Sequence, residues 1–184
     1  MTTYDRATQD VANIISLEHV NTLVSDQTLA HLFYVSGLGF TRDPYIDFGL
    51  RNMWVNLGRQ QFHLPVGEPQ VLRGATGVVM PDVDDLAGRL DRVAKHMEGT
   101  HYSFTEAEGG VDVTCPWGNR IEVRSSGDSA MRLGMPYVRF DVPEGTAPTI
   151  ARFYTEILGA PAEVIDDDGS AMASVAIGND QSLL

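Results

Sequence analysis

The stretch His31-Leu32-Phe33-Tyr34-Val35-Ser36-Gly37-Leu38-Gly39 returns 120 positions later as Ala151-Arg152-Phe153-Tyr154-Thr155-Glu156-Ile157-Leu158-Gly159. The Phe-Tyr pair, the Leu-Gly end and the helical phase are common to both copies, which marks a repeated structural unit. In the first copy Leu29, Leu32 and Phe33 fall at i, i+3 and i+4, the spacing of one helix face. Ser25-Asp26 offers an N-cap oxygen, and Gly37 and Gly39 offer the left-handed exit that ends a helix. A β-like run, Leu17 to Val24, precedes this helix, and strand-like pieces at 40–47, 51–57 and 59–65 follow it. The first unit therefore reads β-α-β-β-β.

The same order recurs twice. A strand over Ala75–Met80 leads to a helix with apolar residues at Leu86, Leu90, Val93 and Met97, capped by Asp82 or Asp84. Strand-like pieces near 101–106, 110–115 and 119–124 complete this unit, the last two joined by the turn Pro116-Trp117-Gly118-Asn119. A third start follows: a strand from Tyr137 to Val142, a helical stripe of Ile150, Phe153, Ile157 and Leu158, and strands near 162–166 and 170–176. At Leu184 the first unit would be entering its fourth strand. The expected organisation is a polar leader over 1–13, a two-module domain over 14–128 (modules 14–70 and 71–128), and the start of a third, incomplete module over 135–184. Such a module leaves a sheet edge that invites pairing. The expectation is that the chain is a fragment, or that this piece packs on another chain.

Composition bounds the function. The chain has 184 residues, 43% of them hydrophobic, and a mean hydropathy of −0.11; that is globular, with length enough for a core without staples. A formal net charge of −12 argues against a nucleic-acid backbone or an anionic membrane surface as partner. One cysteine, Cys115, permits neither an internal disulfide nor a cysteine zinc cage, and points to the cytoplasm. No apolar run approaches the roughly 20 residues of a membrane span, and the N-terminus lacks the apolar core of a signal peptide.

Four local features carry a resemblance to a known family: Leu17-Glu18-His19-Val20, Phe33-Tyr34 with Leu38-Gly39-Phe40, the run Gly77-Val78-Val79-Met80-Pro81-Asp82-Val83-Asp84, and Cys115-Pro116-Trp117-Gly118-Asn119-Arg120-Ile121-Glu122. In order and spacing they resemble the vicinal oxygen chelate superfamily, which includes glyoxalase I, the bleomycin- and fosfomycin-resistance proteins and the extradiol dioxygenases. The resemblance implies an α+β fold, with paired βαβββ modules forming a curved mixed sheet around a cavity, here with a partial third module. It also implies metal ligands on the first and fourth strands of paired modules. Those slots hold His19, His63 (Phe62 if the register slips by one) and Glu122. The remaining slot holds Ala75, which has no donor. Pairing of modules between subunits makes a homodimer the expected assembly.

Strand alternation gives an independent check on these residues. His19 and Asn21 share one face of their strand, Gln61 and His63 share a face of theirs, and Arg120, Glu122 and Arg124 share a third. Two imidazoles and a carboxylate suit Fe(II), and also Mn, Ni or Zn, with open positions for two substrate oxygens. The metal would act as a Lewis acid or activate oxygen; no catalytic base is identifiable. Blander readings stand beside these: a hydrogen-bonded strand histidine at position 19, an ion-pair ladder of Arg120, Glu122 and Arg124, and an exposed strand-end histidine at 63. Asp166-Asp167-Asp168-Gly169 reads as a hairpin turn and not a calcium loop. Three functions remain open: a metal-dependent lyase, isomerase or ring-cleaving dioxygenase acting on a small oxygenated substrate, a metal-free small-molecule binder of the antibiotic-resistance type, and a structural dimerisation module.

Overall fold

The computed structural model describes residues 14–184 except residue 48; the leader expected over 1–13 lies outside the described residues. Two compact units divide the chain, one over Glu18–Met135 and one over Pro136–Leu184 together with the described residues up to Leu17.

The first unit contains two βαβββ modules. Module one comprises β1 (His19–Asn21), the short helix α1 (Gln27–Ala30) running into a π-helical segment (His31–Gly37), β2 (Thr41–Asp47), β3 (Asn52–Leu57) and β4 (Gln60–Pro65). Its sheet has the order β1-β4-β3-β2, with β1 parallel to β4 and the other pairs antiparallel. Asp26 caps the helix, its Oδ1 accepting from the N–H groups of Thr28 at 2.7 Å and Leu29 at 3.0 Å. The π-helical turn, closed by the Leu38 N–H on the Phe33 carbonyl at 2.9 Å, seats Phe33, Tyr34 and Leu38 together in the core. Tyr34 and Phe40 meet Phe62 of β4 at ring-centroid distances of 5.1 and 6.0 Å. Leu29 and Leu32, expected in the core stripe, are only half-buried; the wider turn rotates Ala30, Phe33 and Tyr34 inward instead.

Module two repeats the topology with β5 (Gly74–Met80), α2 (Leu86–Ala94), β6 (Ser103–Ala107), β7 (Gly110–Thr114) and β8 (Arg120–Ser125). Its strands lie in the order β5-β8-β7-β6. Leu86, Leu90, Val93 and Met97 are all buried, as their spacing requires. Neither Asp82 nor Asp84 caps α2: Asp85 holds the cap position without a capping side-chain bond, its carboxylate accepting from Arg92 at 2.9 Å instead, and Asp82 turns back to accept from the Asp84 N–H at 2.9 Å. The Leu86 N–H, at the start of α2, donates to the Val83 carbonyl at 3.1 Å.

The helices of the two modules pack on one another. A Cβ added to Gly37 would lie 3.2 Å from Val93 and 3.4 Å from Leu90, so the helix approach depends on its absence. Phe33 meets Tyr102 at 6.0 Å, and the Trp117 indole N–H donates to the Ser25 hydroxyl at 2.8 Å. Each sheet thus turns its apolar face to its own helix, the helices meet between the sheets, and the polar sheet faces point outward.

The second unit contains β9 (Gly134–Phe140), α3 (Ala147–Glu156), β10 (Ala162–Asp167), β11 (Ser170–Ala176) and the two-residue β12 (Ser182–Leu183); β9 begins within the first unit. The strand order β10-β11-β12-β9 matches that of the other modules, β12 taking the fourth-strand place parallel to β9. The stripe expected on α3 is displaced. Ala147 and Ala151 face Ala173, with Ile150 packed beside them, whereas Phe153, Ile157 and Leu158 are exposed. Residues 166–169 form the expected turn, the Gly169 N–H donating to Asp166 at 2.9 Å.

Asn119 fastens the link between the two modules. Its Oδ1 accepts from the Leu72 N–H and its Nδ2 donates to the Gln70 carbonyl, each at 2.8 Å. Asn119→Ala leaves both backbone groups unpartnered, and should lower the unfolding free energy of this unit by about 1–3 kcal/mol. Urea denaturation followed by tryptophan fluorescence checks this, because both tryptophans, Trp54 and Trp117, lie within Glu18–Met135.

Candidate functional site

Alternation in β1, β3 and β4 decides what reaches the outer face of the first sheet. Val55, Leu57, Phe62 and Leu64 are buried against α1 and its π-helical extension. The alternate residues Asn52, Trp54 and Asn56 on β3, Gln61 and His63 on β4, and His19 and Asn21 on β1 take the opposite face. Register brings Trp54 opposite His63 and Asn56 opposite Gln61, with His19 beside Gln61.

The result is a cluster of three rings. Trp54 stacks on His63 with centroids 3.9 Å apart and planes 14° apart. His19 stands edge-on to both, 5.2 Å from Trp54 and 6.1 Å from His63. The Nε2 of His63 is buried and has no hydrogen-bond partner. Burial of this ring, with the neighbouring His19 adding to it, lowers the His63 pKa below its ordinary value. The lowered value favours the neutral ring near pH 7, with one nitrogen protonated and the other carrying a lone pair. His19 is more open, and its Nδ1 lies 3.6 Å from the Glu18 carboxylate.

Glu122 is not part of this cluster. It lies on β8 in the second sheet, opposite Asp112 and beside Gly77. That sheet's polar face points away from the first, with α1 and α2 between them. There Glu122 lines a hollow of about 190 Å³ with Thr105, Asp112, Thr114 and Arg120. Arg124 pairs with Asp112 at 2.6 Å. Among the described residues no group of three His, Cys, Asp or Glu side chains is placed to hold a metal ion. Ala75 is fully buried. The donor set of His19, His63 and Glu122 thus does not fit a single metal centre in this arrangement, although the two imidazoles fit as a pair.

Three features escaped sequence reasoning. Trp54 belongs to the imidazole cluster; its parity with Asn56 and its place opposite His63 could have shown this once the hairpin register was fixed. Asp43 orders two amides of the same face through a bulge in β2, which no strand pattern reveals. The second unit contains a cavity of about 810 Å³, lined by Ile150, Tyr154, Ala173, Val175 and Leu183 among others. Ala147, Ala151 and Ala173 pack together at one end of α3, and Tyr154 near the other end packs on the cluster of Ala160, Val175 and Ile177.

Comparison with known proteins agrees with this architecture. A Bacillus subtilis protein named as a candidate dioxygenase matches with a TM-score of 0.58 at 16% identity, covering 96% of this chain and 64% of its own. The chain therefore spans less than two thirds of that protein's length. A member of the glyoxalase/bleomycin resistance protein/dioxygenase superfamily from Sphaerobacter thermophilus matches at 22% identity and a TM-score of 0.41, over 61% of this chain and 98% of its own. A lactoylglutathione lyase from Agrobacterium tumefaciens matches at 16% identity and a TM-score of 0.43, over 62% and 96%. No family model matches the sequence, and no curated protein does. The chain has the fold of the glyoxalase/bleomycin-resistance/dioxygenase superfamily, the vicinal oxygen chelate fold, built of βαβββ modules. No helix among the described residues is long and apolar enough to cross a membrane.

In metal-free protein, His63 should titrate below 6.5, the ordinary histidine value. A folded-state pKa below the unfolded one means that the unfolded chain binds more protons as the pH falls through 6.5. This group's contribution to stability is then whole above pH 6.5, and is lost progressively down to the lowered folded pKa. His19→Ala removes the neighbouring charge and should move the His63 midpoint upward. Imidazole proton shifts followed by NMR read both; a His63 midpoint at or above 6.5 in the unaltered protein contradicts this assignment.

Proposed function

We propose that the protein takes up a small oxygenated molecule on the outer face of the first sheet, with His19 and His63 engaging its oxygens and Trp54 holding the His63 ring in place. The observation that carries this reading is the buried, unpartnered Nε2 of His63. Leaving such a nitrogen unsatisfied costs on the order of 1–3 kcal/mol, a cost that a ligand hydroxyl removes. A neutral imidazole can also accept the proton of that hydroxyl, so the same contact supplies a general base if the bound molecule reacts. His19 lies near enough to assist in orienting the ligand.

A second reading, metal dependence, is favoured by the same unpartnered nitrogen. His19 and His63 would supply two imidazole ligands to Fe, Mn, Ni or Zn. Because Glu122 faces away, a further donor would come from a second copy of the chain, as in a homodimer whose modules pair between subunits. A metal so held would polarise bound oxygens as a Lewis acid. The acidic chain supports a small-molecule partner over a nucleic acid or an anionic membrane surface.

Metal content of the purified protein, measured with light scattering, separates the readings. The metal-free reading expects less than about 0.1 metal per chain and no thermal shift with Fe(II), Mn, Ni or Zn. It also expects no change in His19→Ala, His63→Ala or Glu122→Ala. Stoichiometric metal in a dimer, lost with either histidine and kept in Glu122→Ala, establishes the second reading. Loss with Glu122→Ala as well would mean that the three residues meet after all.

A further inference from the structure

The chain entering β1 is held within the second unit. Gln181 lies on the turn between β11 and β12 and is only 2% exposed. Its Oε1 accepts from the Leu17 N–H at 3.0 Å, and its Nε2 donates to the Leu17 carbonyl at 3.2 Å. One side-chain amide thus pairs with both backbone groups of one residue, as a neighbouring strand would. The Leu17 side chain packs on the cluster of Ala160, Val175 and Ile177 in the same unit. The turn that aims Gln181 is costly. Gly178, Asn179 and Asp180 have φ values of 88°, 49° and 56°, three left-handed residues in succession, and two of them are not glycine. The Gln181 N–H closes this turn on the Gly178 carbonyl at 2.9 Å, and the Ile177 N–H donates to the Gln181 carbonyl at 3.0 Å. Asn179 Nδ2 adds a bond to the Ile15 carbonyl at 3.4 Å. Such a backbone persists only where its surroundings hold it, and here they are the segment from Ile15 to Leu17.

Leu17 stands two residues before His19, at most about 7 Å of chain. Between them the Glu18 carbonyl accepts from the Gln61 N–H at 3.1 Å, so the junction has little slack. β1 by itself is a weak element: three residues at the edge of its sheet, paired with β4. A strand so short frays from an end that is not tied down. We propose that Gln181 is a positioning residue for His19: by gripping Leu17 it keeps the start of β1 on β4, and with it the His19 imidazole edge-on to Trp54. The second unit then acts on the first through the chain itself. What His19 does for a ligand rests on the reading of the first-sheet face as the ligand site; the grip on its strand does not.

Two variants of the full chain, studied by NMR without ligand, test this. Gln181→Met keeps the side-chain length and removes both bonds to Leu17. Insertion of two glycines between Leu17 and Glu18 leaves the grip on Leu17 intact and breaks its connection to β1. In both, hydrogen exchange at the Gln61 amide, which is bonded to the Glu18 carbonyl, should quicken at least about tenfold. The cross-peaks between the His19 ring and the Trp54 indole should be lost. Those between Trp54 and His63 should persist, because that stack belongs to β3 and β4. Unchanged His19–Trp54 cross-peaks in the insertion variant overturn the proposal. Their persistence in Gln181→Met does so too, provided that the Tyr154 and Ile177 signals show the second unit folded. If Gln181→Met unfolds that unit, the insertion variant decides alone. Loss of the Trp54–His63 cross-peaks along with those of His19 also overturns it, since the whole face would then depend on the fold and not on the grip. No ligand enters these readouts. Their failure leaves the first-sheet site standing, and a first-sheet face that takes up neither metal nor ligand leaves the grip standing.

Discussion

The contact between the helices of the first two modules organises everything in residues 18–135. Each sheet has an apolar face too large to leave in water, and each short helix covers only part of it. Packing the helices on one another lets them bury both faces at once. Gly37 permits the close approach, its bare Cα facing Val93 and Leu90. The Ser25–Trp117 hydrogen bond and the Phe33–Tyr102 ring contact tie the same seam. Once this interface forms, the polar faces have one direction left, outward and apart. That is why His19 and His63 meet while Glu122 lies elsewhere.

The polar face of the first sheet is organised by the same economy of unsatisfied groups. A ring stacked on Trp54 cannot swing to find a partner for its buried nitrogen. The Gln61 amide, which donates to both Asp43 and Asn56, is held likewise. Groups held so firmly would lose little conformational freedom to a ligand taken up there. Sheet strands hold them more firmly than loops would. The bulge in β2 contributes by bringing Asp43 within reach of Gln61.

Much of the fold was legible because strands and helices have fixed periods. The buried set Leu86, Leu90, Val93 and Met97 follows from its spacing, and the β-α-β-β-β order of the first two modules follows from their recurring pattern, whereas the fourth strand of the third module, β12, was not expected. Three further details were not legible. The π-helical turn after Ala30 arises from the need to bury two adjacent aromatic residues, a packing demand that a helical wheel does not contain. The α2 cap position falls to Asp85, whose carboxylate bonds Arg92 and not the helix start. The buried stripe of α3 runs through Ala147 and Ala151, because small residues let the helix sit close to β11, while Phe153 and Ile157 are left outside. Hydrophobicity alone favours the larger residues.

For the site, the amino-acid order by itself determined which side of each strand a residue occupies, because side chains alternate with a period of two. That placed His19 with Asn21 and His63 with Gln61, and it set Glu122 on the polar side of its own strand. Which polar sides face a common space was decided only by the tertiary structure. Parity is a property of one strand, whereas the meeting of faces depends on how the helices stack and which sheet each strand joins. The rings of Trp54, His19 and His63 came together through cross-strand register, and the helix seam turned Glu122 away.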